Sequence, residues 1–258
     1  MISFNKKGAV FHFLLFIVLA ALAIFFMYTR LGVVKSDVKG DWQVDFLEKN
    51  FLESQKVILL NSQKATFRAY NTIDFLSQNG GFDKKSECKN FLDFNYWIFN
   101  DRACFPNALD NANKLVRNDL VVILNGVNEA KFKDDKLIVD VDKQTIESDI
   151  AVYTFDPSMF LDLSYDFMDY DDLKIQVIRV HKECKESDDK VECANKLFNN
   201  WGGCDGQLFD FQNEKVGLYC VKSPNDYYIS LNENNNVVTK LVEYRFAIGF
   251  DSEKKELE

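Results

Sequence analysis

The longest apolar segment of the chain lies near its beginning, from Ala9 to Tyr28. It holds about twenty residues without a charged side chain, and His12 is its one strongly polar member. At about 1.5 Å per residue, such a helix spans the roughly 30 Å hydrocarbon core of a bilayer. A secretory signal has a shorter apolar core and a small-residue cleavage site, whereas this segment ends in FFMYTRLG. The pattern predicts a retained transmembrane helix at 9–29, preceded at 1–8 by a cytoplasmic N-terminus or a cleaved leader.

A second apolar pattern, with helical spacing, follows at 41–78. Its members are separated mostly by three, four or seven residues, which places them on one face of an amphipathic helix. They are Leu47, Phe51, Ile58, Ala65, Ala69, Ile73 and Leu76. Gly80 and Gly81 are expected to end this helix, because glycine adopts the left-handed backbone of a helix C-cap. The intervening LGVVKSDVKGD, with two glycines, predicts a linker at 30–40.

The rest of the chain divides into a helical part and a β-rich part. The helical region is predicted to extend over 41–126, including CKNFLDFNYWIFNDRAC and PNALDNANKLVRNDLVVIL. From 127 to 258 apolar residues alternate, as in AKFKDDKLIVDVD, KVGLYCV and VVTKLVEYRFAIGF, which indicates strands. DDLKIQVIRVHKEC fits either a strand or a helix; we predict a helix, because the following KVECANKLFNN is helical in character. The predicted fold class is α+β, with amphipathic helices packed on a mostly antiparallel sheet.

Composition and charge limit the partners of the chain. It has 258 residues, a formal net charge of -9 and a pI near 4.9. Nucleic acid is not expected as a partner, because phosphate binding requires a concentrated basic surface. The 24 phenylalanines are expected to fill a core for the most part.

The cysteines indicate on which side of the membrane the folded part lies. Basic residues flank the apolar segment on both sides, so local charge does not orient it. All six cysteines follow the segment: Cys88, Cys104, Cys184, Cys193, Cys204 and Cys220. An even number of cysteines favours an oxidising compartment, and hence a disulfide-bonded domain outside the cytoplasm. The alternative is a cytosolic zinc site around HKEC, although the spacings match no compact framework of ligand pairs.

The disulfide pairing is predicted from nearness along the chain. Cys88 and Cys104 form the most local bridge, and closing a loop of about 15 residues contributes on the order of 3 kcal/mol in the chain-entropy model. For the last four cysteines, nearness favours Cys184 with Cys193 and Cys204 with Cys220, and other pairings remain open.

Few residues are candidates for catalysis or metal binding. His181 is the one plausible general base in the soluble part, and no nucleophile motif accompanies it. The acidic segment SYDFMDYDD gathers oxygen ligands suited to calcium but lacks the alternation of an EF-hand, so we interpret it as a solvated acidic edge. We therefore predict no catalytic residue, cofactor-binding residue, metal ligand or cofactor.

The start of the apolar segment resembles a known type of leader. Residues 6–10 are KKGAV: two lysines and a glycine directly before the apolar helix. This resembles the class III signal peptide of archaeal type IV pilin-like proteins, in which a membrane peptidase cuts after the glycine. The resemblance implies that Lys7 and Gly8 precede the cut bond, that Ala9 becomes the new N-terminus, and that the helix packs in a filament core with a β-rich head outside. The predicted linker at 30–40 would interrupt the long helix of that family.

The sequence predicts a single-pass protein of the cell membrane, with its C-terminal domain outside the cytoplasm and a structural or binding role. The expected partner is the lipid bilayer, with a protein, a surface polymer or further copies of the chain as candidates. One alternative is a pilin-like subunit of a surface filament. Another is a membrane-anchored enzyme of unrecognised class.

Overall fold

The computed structural model describes residues 6–147, 151–198, 201, 203–211, 214–233 and 236–250. The helices are α1 (Lys6–Gln78), α2 (Ala108–Ile123), α3 (Asp169–Cys184) and α4 (Lys190–Leu197). The strands are β1 (Asn90–Phe91), β2 (Phe94–Phe99), β3 (Arg102–Ala103), β4 (Val127–Lys133), β5 (Lys136–Val141), β6 (Gln144–Glu147), β7 (Val152–Phe155), β8 (Met159–Asp162), β9 (Gly203–Phe211), β10 (Glu214–Lys222), β11 (Tyr228–Glu233), β12 (Asn236–Leu241) and β13 (Glu243–Phe250). The α+β class with mostly antiparallel pairing is confirmed.

The chain forms two compact units. The first contains Met1–Gln55 and Ile146–Tyr153, and the second contains Lys56–Thr145 and Thr154–Glu258. The second unit holds the two larger sheets, the β11–β12 hairpin and the large apolar core.

Helix α1 differs from the prediction at 30–40. That segment is helical, and α1 runs through Gly32 and Gly40 without a break. Each glycine lowers helix stability by about 1 kcal/mol relative to alanine, and in a long helix this does not by itself stop propagation. Among the described residues, no helical stretch combines the length and the apolar character needed to cross a bilayer. Side chains of the predicted span at 9–29 are described only for 17–27.

The C-terminal part of α1 packs in the core of the second unit. Its small and branched side chains there are fully buried: Ala65, Ala69, Ile73 and Leu76. The helix ends at Gln78, as predicted, and Gly80 and Gly81 follow with φ of +62° and +83°. A Cβ on Gly80 would lie 2.7 Å from the carbonyl oxygen of Arg245, and one on Gly81 would lie 2.6 Å from Pro106. Both glycines are thus required by backbone conformation and by close packing.

The largest sheet has the order β1-β2-β13-β10-β9, with β3 paired to β2. β2 and β13 pair in parallel, and the neighbouring pairs are antiparallel. Trp97 on β2 stacks on Phe246 of β13, with ring centroids 4.8 Å apart. The indole N–H of Trp97 donates to the carbonyl of Gly80 over 2.8 Å, which joins the sheet to the end of α1.

The prediction of a helical region throughout 41–126 is wrong for its middle. The segment at 90–103 forms β1, β2 and β3. Asn100 and Asp101 adopt φ of +51° and +57° between β2 and β3, and such residues favour tight hairpin turns. α2 occupies the later part of the region as predicted.

A second sheet contains β4, β5 and β8, and α2 packs next to β4. The hairpin predicted from AKFKDDKLIVDVD is confirmed as β4 and β5, with Lys133 opposite Lys136. Alternate residues of β5, among them Leu137 and Val139, are buried in the same apolar core as the inner residues of α2.

Disulfides join neighbouring elements of the second unit. Cys88 is bonded to Cys104, and Cys184 at the end of α3 is bonded to Cys193 in α4, as predicted. Cys220 is also disulfide-bonded, and the register of β10 and β9 places it directly opposite Cys204. The segment DDLKIQVIRVHKEC is helical as α3, and KVECANKL forms α4, both in agreement with the prediction.

Candidate functional site

Three large apolar side chains form an exposed stripe on α1 within the first unit. Val44, Leu47 and Phe51 are 61%, 56% and 52% exposed. Their spacing of three and four residues places them on one helix face, and we call them the α1 stripe. A single exposed apolar residue is ordinary, whereas a contiguous set marks an interaction surface.

Two polar residues next to the stripe are buried. The Asn50 amide donates to the carbonyl of Phe46 over 2.6 Å, and the Ser54 hydroxyl donates to the carbonyl of Phe51 over 2.7 Å. Asn50 and Ser54 are 5% and 1% exposed. Because their polar groups are satisfied within α1, they do not require an outside partner. The α1 stripe is therefore an apolar part of the exposed surface of this helix.

The predicted processing residues are part of helix α1, and so is His12. The processing residues are Lys7, Gly8 and Ala9. Their side chains fall outside the described part of the chain. Cleavage after Gly8 therefore stays a prediction.

A second polar site is built around a buried carboxylate in the second unit. Asp169, the first residue of α3, is 4% exposed. Its Oδ2 accepts hydrogen bonds from the hydroxyls of Ser223 and Tyr244, the latter over 3.2 Å. Its Oδ1 accepts from the amide of Asn225 over 3.0 Å. The Tyr165 hydroxyl lies 3.2 Å from that of Tyr244 and extends the set, which we call the Asp169 cluster.

Burial dominates the ionisation of the Asp169 cluster. Loss of water raises the pKa of Asp169, while the hydrogen bonds from Ser223, Tyr244 and Asn225 oppose that rise. Desolvation likewise raises the pKa of Tyr165 and of Tyr244 far above the ordinary tyrosine value. The two phenols are thus neutral donors at physiological pH, and Asp169 is the group of the cluster that can titrate.

Most aspartates at 156–172, a range that includes the predicted acidic edge, are exposed, and three of them shape turns. Asp156, Asp162 and Asp166 each accept a hydrogen bond from the backbone N–H two residues later, over 2.9, 3.0 and 2.9 Å. Such contacts are Asx turns, which order a loop without a metal. Asp171 and Asp172 lie exposed in the first turn of α3. In the part of the chain that the structure describes, no three His, Cys, Asp or Glu side chains are grouped to hold a metal ion.

His181 lies on α3 between a ring and a carboxylate. Its imidazole stacks on Phe250 with centroids 5.9 Å apart, and its side chain is 13% exposed. Nε2 lies 3.6 Å from Oδ1 of Asp101, and both oxygens of Asp101 accept from Lys185 Nζ over 2.8 Å. His181 thus lies between the ring of Phe250 and Asp101, and Asp101 also binds Lys185.

The Asp169 cluster was missed by the sequence analysis, which assigned Asp169 to a solvated edge. Its members come from the segment before α3, from α3 itself, from the β10–β11 turn and from β13. Contacts spanning more than fifty residues leave no local pattern, and the one signal in the chain was the turn motif SPND.

Comparison of the chain with protein-family models, with curated proteins and with solved structures found no match.

Proposed function

We propose that this chain is a membrane-anchored structural protein with its disulfide-bonded α+β domain outside the cytoplasm, and that copies of it associate side by side through the α1 stripe. The observation that carries the proposal is the unbroken α1, which continues from the apolar segment through Gly32 and Gly40 to Gln78. A continuous helix fits the pilin-like plan, for which a linker at 30–40 was the main structural obstacle.

The α1 stripe supports association of identical copies. Copies anchored in one membrane would present the same helix in parallel, so each stripe would meet another of the same composition. Burying a large apolar side chain contributes about 1.5–3 kcal/mol, and half-exposed ones contribute roughly half of that. Three per copy suffice for a weak contact that anchoring in the same membrane strengthens, because it raises the effective concentration.

Charged residues flanking the stripe are compatible with parallel packing. Exposed side chains of both signs occur along this part of α1: Asp45, Glu48, Lys49, Glu53 and Lys56. Mixed signs allow staggered parallel copies to pair opposite charges, whereas a helix of one sign would repel its copies.

Self-association can be tested on the full chain, extracted from membranes and solubilised in mild detergent. Leu47→Glu with Phe51→Glu should convert an oligomer to a monomer in light scattering coupled to size exclusion, because two desolvated carboxylates would face each other in the contact. Val122→Glu is the matched control, since Val122 is an equally apolar, 83% exposed residue on α2. A monomeric wild-type protein, or an oligomer unaffected by the double substitution, would contradict the proposal.

The processing part of the proposal has its own test. N-terminal sequencing and intact mass of the membrane-purified protein should give a start at Ala9. An intact Met1 would remove the support that KKGAV gives to a pilin-like subunit, while leaving association through α1 to be judged by the oligomeric state.

The second candidate function is an anchored monomeric domain that binds another molecule. It is favoured by Phe160, which is 74% exposed on β8 directly opposite Ile138 of β5. An aromatic ring on the open face of a sheet can contact a protein or a surface polymer. This candidate is favoured if the wild-type protein is a monomer and Phe160→Ser abolishes its retention of a partner at the cell surface.

A further inference from the structure

The Asp169 cluster attaches the turn at 223–227, which joins β10 to β11, to the start of α3. The Ser223 hydroxyl donates to Asp169 and also accepts the backbone N–H of Asn225 over 3.0 Å. The Asn225 amide donates to the other oxygen of the same carboxylate. Both side-chain contacts of the turn with α3 therefore end on Asp169.

The turn leads directly into the β11–β12 hairpin. The Tyr227 ring lies 5.0 Å from that of Tyr165, and the Tyr227 carbonyl accepts from the N–H of Val242 over 2.9 Å. The hairpin itself is held by buried Ile229 and Leu231, and by an ion pair of 2.7 Å between Lys240 and Asp74 of α1. Loosening the turn would thus free one end of the hairpin while the other contacts remain.

Among the described side chains in contact with Asp169, none is a cation. The titratable groups that face it are Tyr165 and Asp166 before α3, Tyr170 on α3, Tyr227 in the turn and Tyr244 on β13. All of them ionise to anions. The carboxylate is stabilised by three neutral donors and by its position at the N-terminus of α3, and burial opposes its charge.

Protonation removes that charge without removing the contacts. A neutral Asp169 can donate its own proton to the hydroxyl of Ser223 or Tyr244, because a hydroxyl both donates and accepts. Burial raises the pKa of Asp169 in the attached state. In a detached, hydrated state the pKa of an aspartate is about 3.9.

We infer that protonation of Asp169 controls how firmly the 223–227 turn, and with it one end of the β11–β12 hairpin, is attached to α3. A raised pKa in the attached state means that attachment is strongest below about pH 3.9, where both states are protonated. Above that pH the detached state ionises first. The opening equilibrium therefore rises about tenfold per pH unit until the higher pKa is passed, and then becomes level.

Hydrogen exchange measured by mass spectrometry on the full chain in detergent tests this inference. Peptides covering 223–241 are compared between wild type and Asp169→Asn at each pH, so that the intrinsic pH dependence of exchange cancels. Asparagine keeps the shape of the side chain and has no charge to titrate. A peptide covering β5 reports any global change, and Asp226→Asn is the matched control, because Asp226 lies exposed in the same turn.

The expected result is that protection of 223–241 in wild type, relative to Asp169→Asn, falls as pH rises from 4 and then becomes constant. Asp226→Asn should follow the wild-type profile. A ratio independent of pH, or one that increases with pH, would overturn the inference. If Asp169→Asn fails to fold, Ser223→Ala takes its place. This variant keeps the carboxylate, so opening of the turn should increase while its pH dependence persists. Loss of the pH dependence would contradict the inference.

Discussion

At the scale of single residues, three side-chain donors hold the backbone just after the end of α1. Three successive carbonyls, of Asn79, Gly80 and Gly81, receive hydrogen bonds from Asn95, Trp97 and Asn111 over 2.8 Å each. These three residues follow the last residue of α1, and a carbonyl that lies near a core needs a hydrogen-bond donor. These donors therefore hold the backbone that follows α1 against β2 and α2.

Asn111→Ala should lower the free energy of unfolding by about 1–3 kcal/mol, because it leaves the partly buried Gly81 carbonyl without its donor. Urea unfolding followed by circular dichroism measures the change. Asn118→Ala, at an exposed position of the same helix α2, is the control and should change stability by less than about 0.5 kcal/mol. Equal effects of the two substitutions would show that the capping contact adds nothing.

Gly80→Ala should destabilise the domain by at least about 1 kcal/mol. The backbone at Gly80 has φ of +62°, and an added Cβ would lie 2.7 Å from the Arg245 carbonyl oxygen. The melting temperature should fall accordingly. An unchanged melting temperature would mean that the turn after α1 relaxes without cost.

At the scale of elements, patterns of spacing gave the correct structure where packing agreed with local preference. α3 was ambiguous from composition, yet its helically spaced residues Leu173, Val177, Val180 and Cys184 are all fully buried. At 90–103 the aromatic segment FNYWIF prefers a strand. The hairpin turns on either side of it have positive φ at non-glycine residues, and the spacing of apolar positions does not reveal such turns. The linker at 30–40 was predicted from Gly32, Gly40 and the polar residues between them, and isolated glycines are weak helix breakers.

Gly40→Ala and Gly40→Pro test the continuity of α1. Alanine should leave association of the full chain unchanged or strengthen it, because it raises helix propensity by about 1 kcal/mol. Proline should weaken association, because it costs a helix interior about 3 kcal/mol and removes a backbone donor. Light scattering measures the oligomeric state of the two variants. Equal oligomeric states would contradict the proposal that association depends on an unbroken α1.

At the scale of the whole molecule, cysteine pairing was predictable because each confirmed bridge is local. Cys88–Cys104 and Cys184–Cys193 are separated by 16 and 9 residues, so nearness along the chain was a sufficient guide. The Asp169 cluster was not predictable, because its members are brought together only by the completed fold. Function is less accessible than fold at this scale, since neither motif nor composition specifies what the α1 stripe contacts.

Titration of thiols in the denatured, unreduced protein tests the proposed location outside the cytoplasm. No free thiol is expected, and six free thiols would contradict an oxidising compartment. Replacing Cys88 and Cys104 together by serine should lower the free energy of unfolding by about 3 kcal/mol, because the loop of roughly 15 residues is then open in the unfolded chain. A change below about 1 kcal/mol would indicate that the bridge does not constrain the unfolded state.

The central claim is that copies of this chain meet through the α1 stripe, and photo-crosslinking in the intact membrane tests it most directly. A photoreactive amino acid is placed at Phe51, within the stripe, or at Lys49, which is exposed on the opposite side of α1. The account predicts a crosslinked dimer of this chain from position 51 and little or none from position 49. Absence of a dimer at position 51, or equal crosslinking at both positions, would contradict it.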